Sequence, residues 1–124
     1  MNSKTKILYV DDESINLVLF EINFSKKYAV FTADSGAKGI ELLAINPDIT
    51  VIVSDMKMPS MNGIEFIKKA KEKYPDKEFF ILTGFDITEE ILDAINTGLI
   101  LKYFKKPFNM KEMDMAITDA ILPK

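Results

Sequence analysis

Thr50-Val51-Ile52-Val53-Ser54-Asp55 carries the β-branched run Val51-Ile52-Val53 into a serine and a carboxylate. A turn-rich stretch follows at once, Met56-Lys57-Met58-Pro59-Ser60-Met61-Asn62-Gly63. A short apolar run bounded by turn signals suits a strand buried on both faces. Asp55 then stands at the carboxyl end of a central strand, the edge at which open α/β sheets bind ligands. An aspartate can also simply start a turn, so the segments on either side have to decide.

Upstream, Ala37, Ile40, Leu43 and Ala44 share one face of a helix capped by Asp34 or Ser35 and ended by Asn46-Pro47-Asp48. Before it, Tyr28 to Thr32 reads as a strand. Earlier still, Ile7-Leu8-Tyr9-Val10 reads as the first strand and runs into Asp11-Asp12-Glu13. Ile15, Val18, Leu19 and Ile22 then recur at helical spacing. One acid there would cap a helix. Three in a row repel each other and ask for a cation.

Downstream, a third helix runs from about Ile64 through Ile67 and Ala70, with Lys68, Lys69 and Lys71 on a solvated face. Phe79-Phe80-Ile81-Leu82 forms a fourth strand that Thr83 and Gly84 close. Asp86 with Glu89 makes a capping box for a fourth helix with Ile87, Ile91, Ala94 and Ile95 inward, and Gly98 suits its end. Leu99 to Phe104 is a fifth strand leading to Lys105-Lys106-Pro107. Asn109 with Glu112 caps a fifth helix, whose stripe is Met110, Met113, Ala116, Ile117, Ala120 and Ile121. Methionines so spaced are core rather than a cofactor box. Five alternations of strand and helix argue for an α/β domain with a parallel sheet and helices on both faces.

Composition narrows the chemistry. The chain has 124 residues and a net charge of −3, which bounds it to one domain, 1–124, and leaves no basic footprint for nucleic acid. Whether it is complete or a domain cut from a longer protein stays open. It has neither cysteine nor histidine, so disulfides, thiolate metal sites and imidazole bases are excluded. Every basic residue is a lysine, so anions are held without a guanidinium fork. The start is short and polar rather than a signal peptide. No run reaches the roughly 20 apolar residues needed to span a bilayer. A cytoplasmic protein that binds neither membrane nor nucleic acid is expected.

Asp11 and Asp12, Asp55, Thr83 and Lys106 therefore fall at the ends of four strands and converge on one crevice. Three carboxylates within about 5 Å repel by roughly 3 kcal/mol per pair at an effective dielectric near 20. A hard divalent cation offsets that, and oxygen ligands select Mg²⁺ or Mn²⁺. A carboxylate can also act as a nucleophile and form an aspartyl phosphate, whose oxygens call for a metal and a lysine.

On Asp11-Asp12, Asp55 with Met58-Pro59 and Asn62-Gly63, Thr83-Gly84, and Tyr103 through Lys106-Pro107-Phe108, the chain resembles the receiver domain of two-component response regulators. The match runs from Ile7 to about Leu122. The resemblance implies a flavodoxin-like, doubly wound five-stranded sheet in order 2-1-3-4-5 with five helices. It implies that Asp55 accepts a phosphoryl group from a phosphohistidine of a sensor histidine kinase. Asp11, Asp12, Asp55 and the main-chain carbonyl of Lys57 would hold Mg²⁺. Lys106, joined to Pro107 by a cis bond, would pair with the acceptor and then with the phosphoryl group. Thr83 and Tyr103 would switch, changing the surface of the fourth helix, fifth strand and fifth helix, where an output domain, a downstream protein or a second copy docks. Such a domain is a switch rather than a conventional enzyme, although it promotes its own phosphorylation and hydrolysis.

Two positions are individual to this chain. Lys57 and Phe85 should flank the mouth of the site. Phe85 either covers the phosphoryl group and hinders attacking water, or caps apolar surface beneath the fourth helix. The competing readings are a pseudo-receiver that only docks partners, a metal-dependent aspartate phosphatase and a flavin protein. The first would be marked by loss of an acid or the lysine. The second would place an acid where Lys57 stands. The third would need a phosphate loop where Asp11-Asp12-Glu13 repels one.

Overall fold

The computed structural model describes residues 4–84 and 87–122. Ten elements alternate along the chain: β1 (Lys6–Val10), α1 (Ser14–Phe24), β2 (Ala29–Ala33), α2 (Gly36–Ile45), β3 (Val51–Asp55), α3 (Gly63–Lys73), β4 (Glu78–Thr83), α4 (Glu89–Asn96), β5 (Lys102–Lys105) and α5 (Met110–Ile121). The five strands are parallel in the order β2-β1-β3-β4-β5, the doubly wound arrangement expected. Every residue of β3 is buried, which explains its unbroken apolar run.

Side-chain alternation splits the interior into two cores. Leu8, Val10, Ile52 and Ile81 pack with α2, α3 and α4 residues such as Leu43, Phe66 and Ile91. Ile7, Tyr9, Val51, Val53, Phe80 and Leu82 pack with Phe20 and Phe24 of α1 and Met113 and Ile117 of α5. The sheet is thus covered on both faces, and its carboxyl edge is left for the site.

Several local expectations shift for physical reasons. The regular stripe Ile15, Val18, Leu19, Ile22 forms a helix but faces solvent, while Phe20 and Phe24 turn inward. Aromatic area won over periodicity, because Phe20 stacks on Tyr9 at 4.3 Å between ring centroids. In α2 the cap is Ser35, and the inward face is Gly36, Gly39 and Leu43, with Ala37 and Ala44 exposed. The glycines let α2 lie directly on α3: a Cβ on Gly39 would stand 2.9 Å from the Phe66 ring. The fourth helix starts at Glu89, and the Asp86 partner of its expected capping box is outside the described residues. Thr88 is the cap and accepts from the Ile91 N–H. Asp86 and Phe85 lie outside the described residues.

Ile87 precedes that helix and is exposed. Gly98 ends α4 in the left-handed region, at φ 78°. The fifth strand begins three residues later than expected. The N–H groups of Leu99 and Ile100 still bond the Ala94 carbonyl at the end of α4, and pairing to β4 starts with Leu101 donating to Phe79. The stripe of α5 holds except at Met110, which is exposed. The Asn62–Glu65 capping box opens α3 and rigidly ends the turn after Asp55.

Candidate functional site

Four of the five strands bring a polar group to the carboxyl edge of the sheet, where open α/β sheets bind ligands. Asp11 follows β1, Asp55 is the last residue of β3, Thr83 is the last residue of β4, and Lys106 follows β5. The Lys106 N–H donates to the Thr83 carbonyl at 2.7 Å, which extends the β4–β5 ladder and aims the lysine across the edge. Its Nζ lies 3.1 Å from Asp11 Oδ2 and 3.1 Å from Asp55 Oδ1. The Lys106–Pro107 peptide is cis.

Oxygens of Asp11, Asp12 and Asp55 all lie within 4.8 Å of one another. Asp11 is fully buried, Asp55 is nearly so, and Asp12 is exposed at the rim. Asp12, Asp55, Lys57 and Lys106 line one open cleft together with Glu13, Asn16, Met58, Pro59 and Gly84. Thr83 is buried and lines an adjoining hollow with Met56, Lys57, Met58, Asn62, Thr88 and Ile91, of which Lys57 and Met58 also line the cleft. Tyr103 is half-buried on β5 beside Ile95 and Leu101, away from the cleft. The structure therefore groups the acids with Lys106 and Lys57, sets Thr83 in an adjoining hollow that shares Lys57 and Met58 with their cleft, and places Tyr103 among the residues of a different hollow along β5. Phe85 falls outside the described residues.

The electrostatics follow from burial. Desolvation is the largest influence on Asp55 and, with the neighbouring Asp11 and Asp12 charges, it outweighs the Lys106 bond. The Asp55 carboxyl is raised above its ordinary value of 3.8. Burial alone would lower Lys106, but its bonds to Asp55 and Asp11 win and raise it, so it stays a cation. An all-carboxylate set with no imidazole or thiolate nearby fits Mg²⁺ or Mn²⁺ in both charge and hardness.

Two site residues escaped the sequence reading. The sequence marks Tyr9 only as a strand residue, but its hydroxyl donates to Asp11 Oδ2 at 2.5 Å. Burial first, and then that bond, push its phenol far above the ordinary value of 10.0, so it remains a donor. Asn16 donates from Nδ2 to the same oxygen at 3.1 Å. The one available signal was a polar tip placed two residues before a strand-end acid.

The sequence profile of the response regulator receiver domain matches residues 7–118. This chain belongs to that family. The receiver is 30% identical over 120 residues to the chemotaxis protein CheY homolog of Campylobacter jejuni, covering 94% of this chain and 92% of that protein. It is 28% identical over 107 residues to the hydrogenase transcriptional regulatory protein HoxA of Cupriavidus necator, covering 86% of this chain but 22% of HoxA. The crystal structure of a response regulator receiver domain protein from Clostridium thermocellum superposes with a TM-score of 0.88 at 31% identity, covering 94% of each chain. The receiver is thus a phosphorylation-based signalling switch rather than a conventional enzyme. No helix among its described residues is long and apolar enough to cross a membrane.

Proposed function

We propose that Asp55 is the phosphoacceptor of this receiver. An Asp55 oxygen attacks the phosphorus of a phosphohistidine supplied by a sensor kinase. The P–N bond breaks, imidazole leaves, and a P–O bond completes an acyl phosphate. These 124 residues contain no histidine, so the donor lies outside them. The carrying observation is the Lys106 Nζ bridge, 3.1 Å from both Asp11 and Asp55. A cation already seated between two acids can follow the charge as it moves onto the phosphoryl oxygens.

Asp11, Asp12, Asp55 and the Lys57 carbonyl are the proposed holders of Mg²⁺, which when bound supplies charge neutralisation at the phosphoryl oxygens. The Thr83 hydroxyl is the proposed hydrogen-bond donor to the phosphoryl group. Its draw toward the cleft would vacate the hollow under α4, and Tyr103 would turn inward to fill it. The same groups support phosphorylation by small acyl phosphates and hydrolysis of the acyl phosphate by water.

The kinase is assigned to the exposed face of α1. Ile15, Val18, Leu19 and Ile22 lie there unburied. Leu19 lines a crevice shared with Asn16, Gly84 and Lys106, residues that also border the acidic cleft. The output partner, or a second copy, is assigned to α4, β5 and α5, where Leu92, Leu101 and Met115 are exposed. Residues 1–124 are read as one receiver, alone or as part of a longer regulator.

Intact-mass measurement after incubation with a small acyl phosphate and Mg²⁺ tests this. One phosphoryl group gained by the parent and absent from Asp55→Asn supports the reading. A gain that survives in Asp55→Asn, or no gain even from a phosphorylated histidine kinase, overturns it.

A further inference from the structure

We propose that Tyr9 is a positioning residue for the cation site, acting through Asp11; the inference rests on the reading of the three acids as that site. Asp11 has no exposed surface, and both its oxygens are engaged. Oδ1 accepts from the Glu13 N–H at 2.9 Å. Oδ2 accepts from Tyr9 Oη at 2.5 Å, Asn16 Nδ2 at 3.1 Å and Lys106 Nζ at 3.1 Å.

These donors are not equivalent. Lys106 is shared with Asp55 at 3.1 Å and must respond to any charge gained or lost there. Asn16 sits on the first turn of α1 at the border of the cleft. Tyr9 is the one anchored in the core. It lies inside β1, is 1% exposed, and its ring stacks on Phe20 with planes 13° apart. Phe20 in turn packs on Phe24 at 4.6 Å and Phe108 at 6.1 Å. The hydroxyl is therefore fixed by the core rather than by the loops around the site.

A carboxylate's terminal torsion is broad, whereas Mg²⁺ demands near-ideal octahedral ligands. A donor anchored in the sheet keeps the Asp11 plane set while Lys106 redistributes between the two acids. Outer groups that orient ligands are commonly worth 10- to 100-fold in metal affinity.

Tyr9→Phe keeps the ring, its stacking and nearly all its volume, and deletes only the hydroxyl. Tyr28→Phe is the matched control. The Tyr28 hydroxyl also bonds an aspartate, Asp114 on α5, at 2.6 Å, but away from the acidic cleft. Each variant and the parent is titrated calorimetrically with Mg²⁺ alone, and its thermal unfolding is recorded without metal. The chain has no tryptophan, so Mg²⁺-induced changes in tyrosine absorbance are readable.

Tyr9→Phe is expected to weaken Mg²⁺ about tenfold and to lose most of the tyrosine signal, while Tyr28→Phe retains both. Equal affinity in parent and Tyr9→Phe, even with a lowered unfolding midpoint, reduces Tyr9 to a packing residue and overturns the inference. A parent that fails to bind Mg²⁺ instead overturns the cation-site reading beneath it.

Discussion

Gly63 stands so close to Asp55 that a methyl group on its Cα would press into the Asp55 carbonyl oxygen. That same methyl would lie 3.1 Å from the Asp55 carbonyl carbon and 2.9 Å from the Ile81 side chain. The Gly63 N–H also bonds the Met56 carbonyl at 2.8 Å, pinning the loop over the strand end. Its backbone is not in the left-handed region, so close approach rather than conformation demands glycine. Gly63→Ala is expected to cost about 1–3 kcal/mol through overpacking and to slow phosphorylation at Asp55. Denaturant unfolding and intact-mass time courses measure both. Wild-type values for the two would refute the assigned role.

Lys106 offsets the buried acids in the metal-free protein. Its side chain is 25% exposed, which places the expected cost of Lys106→Met between the surface and buried cases, at about 1–2 kcal/mol. The loss should shrink when Mg²⁺ is added, because the cation takes over neutralisation of the same carboxylates. Unfolding with and without Mg²⁺ reads this directly, and a loss unchanged by metal contradicts it.

Asp55 has a raised carboxyl, chiefly because it is buried and despite the Lys106 bond. The folded state therefore holds that proton to higher pH than the unfolded chain, and ionised Asp55 costs stability above its folded value. Asp55→Asn removes that cost. Without metal, its unfolding midpoint should exceed the parent's at neutral pH. The gap should close as pH falls through the raised value toward 3.8. A gap that widens on acidification would show the opposite sign.

The α1 face makes a separate prediction. Val18→Glu and Ile22→Glu change side chains that are 50% and 64% exposed, so stability should move by less than about 0.5 kcal/mol. Phosphotransfer from the cognate kinase should fall about tenfold or more, as for a buried apolar anchor of an interface. Unchanged transfer in quench-flow would move the docking face elsewhere.

Ser60 carries φ 67° in a three-residue turn that the Met61 N–H closes onto the Pro59 carbonyl at 2.7 Å. Relief of that conformation should let Ser60→Gly gain up to about 1 kcal/mol. Thermal unfolding measures it, and a loss would place the strain elsewhere.

The acids and the lysine were legible in the sequence because each falls at a strand end, and alternating apolar runs mark strand ends well. The relation among them was not written in the same way. Lys106 and Asp11 meet 95 residues apart in the chain. In the sequence Tyr9 is one more apolar strand residue, since its polar tip matters only once β1 and Asp11 share an edge. Lys77 was likewise unmarked. It is buried at the opposite edge of the sheet, donating to the Pro47 carbonyl at 2.7 Å and to the Ile49 carbonyl, and desolvation lowers its ammonium below the ordinary value.

By itself the sequence determined the alternation of elements, the parallel doubly wound sheet and the set of strand-end groups, because period and turn chemistry are local properties. The tertiary structure alone decided which stripe of α1 is covered, why α2 needs Gly39 against Phe66, and why Gly63 must yield to the Asp55 carbonyl. Periodicity states which residues share a face. Only the packing of layers, with large aromatic rings taking the available space, decides which face is inside.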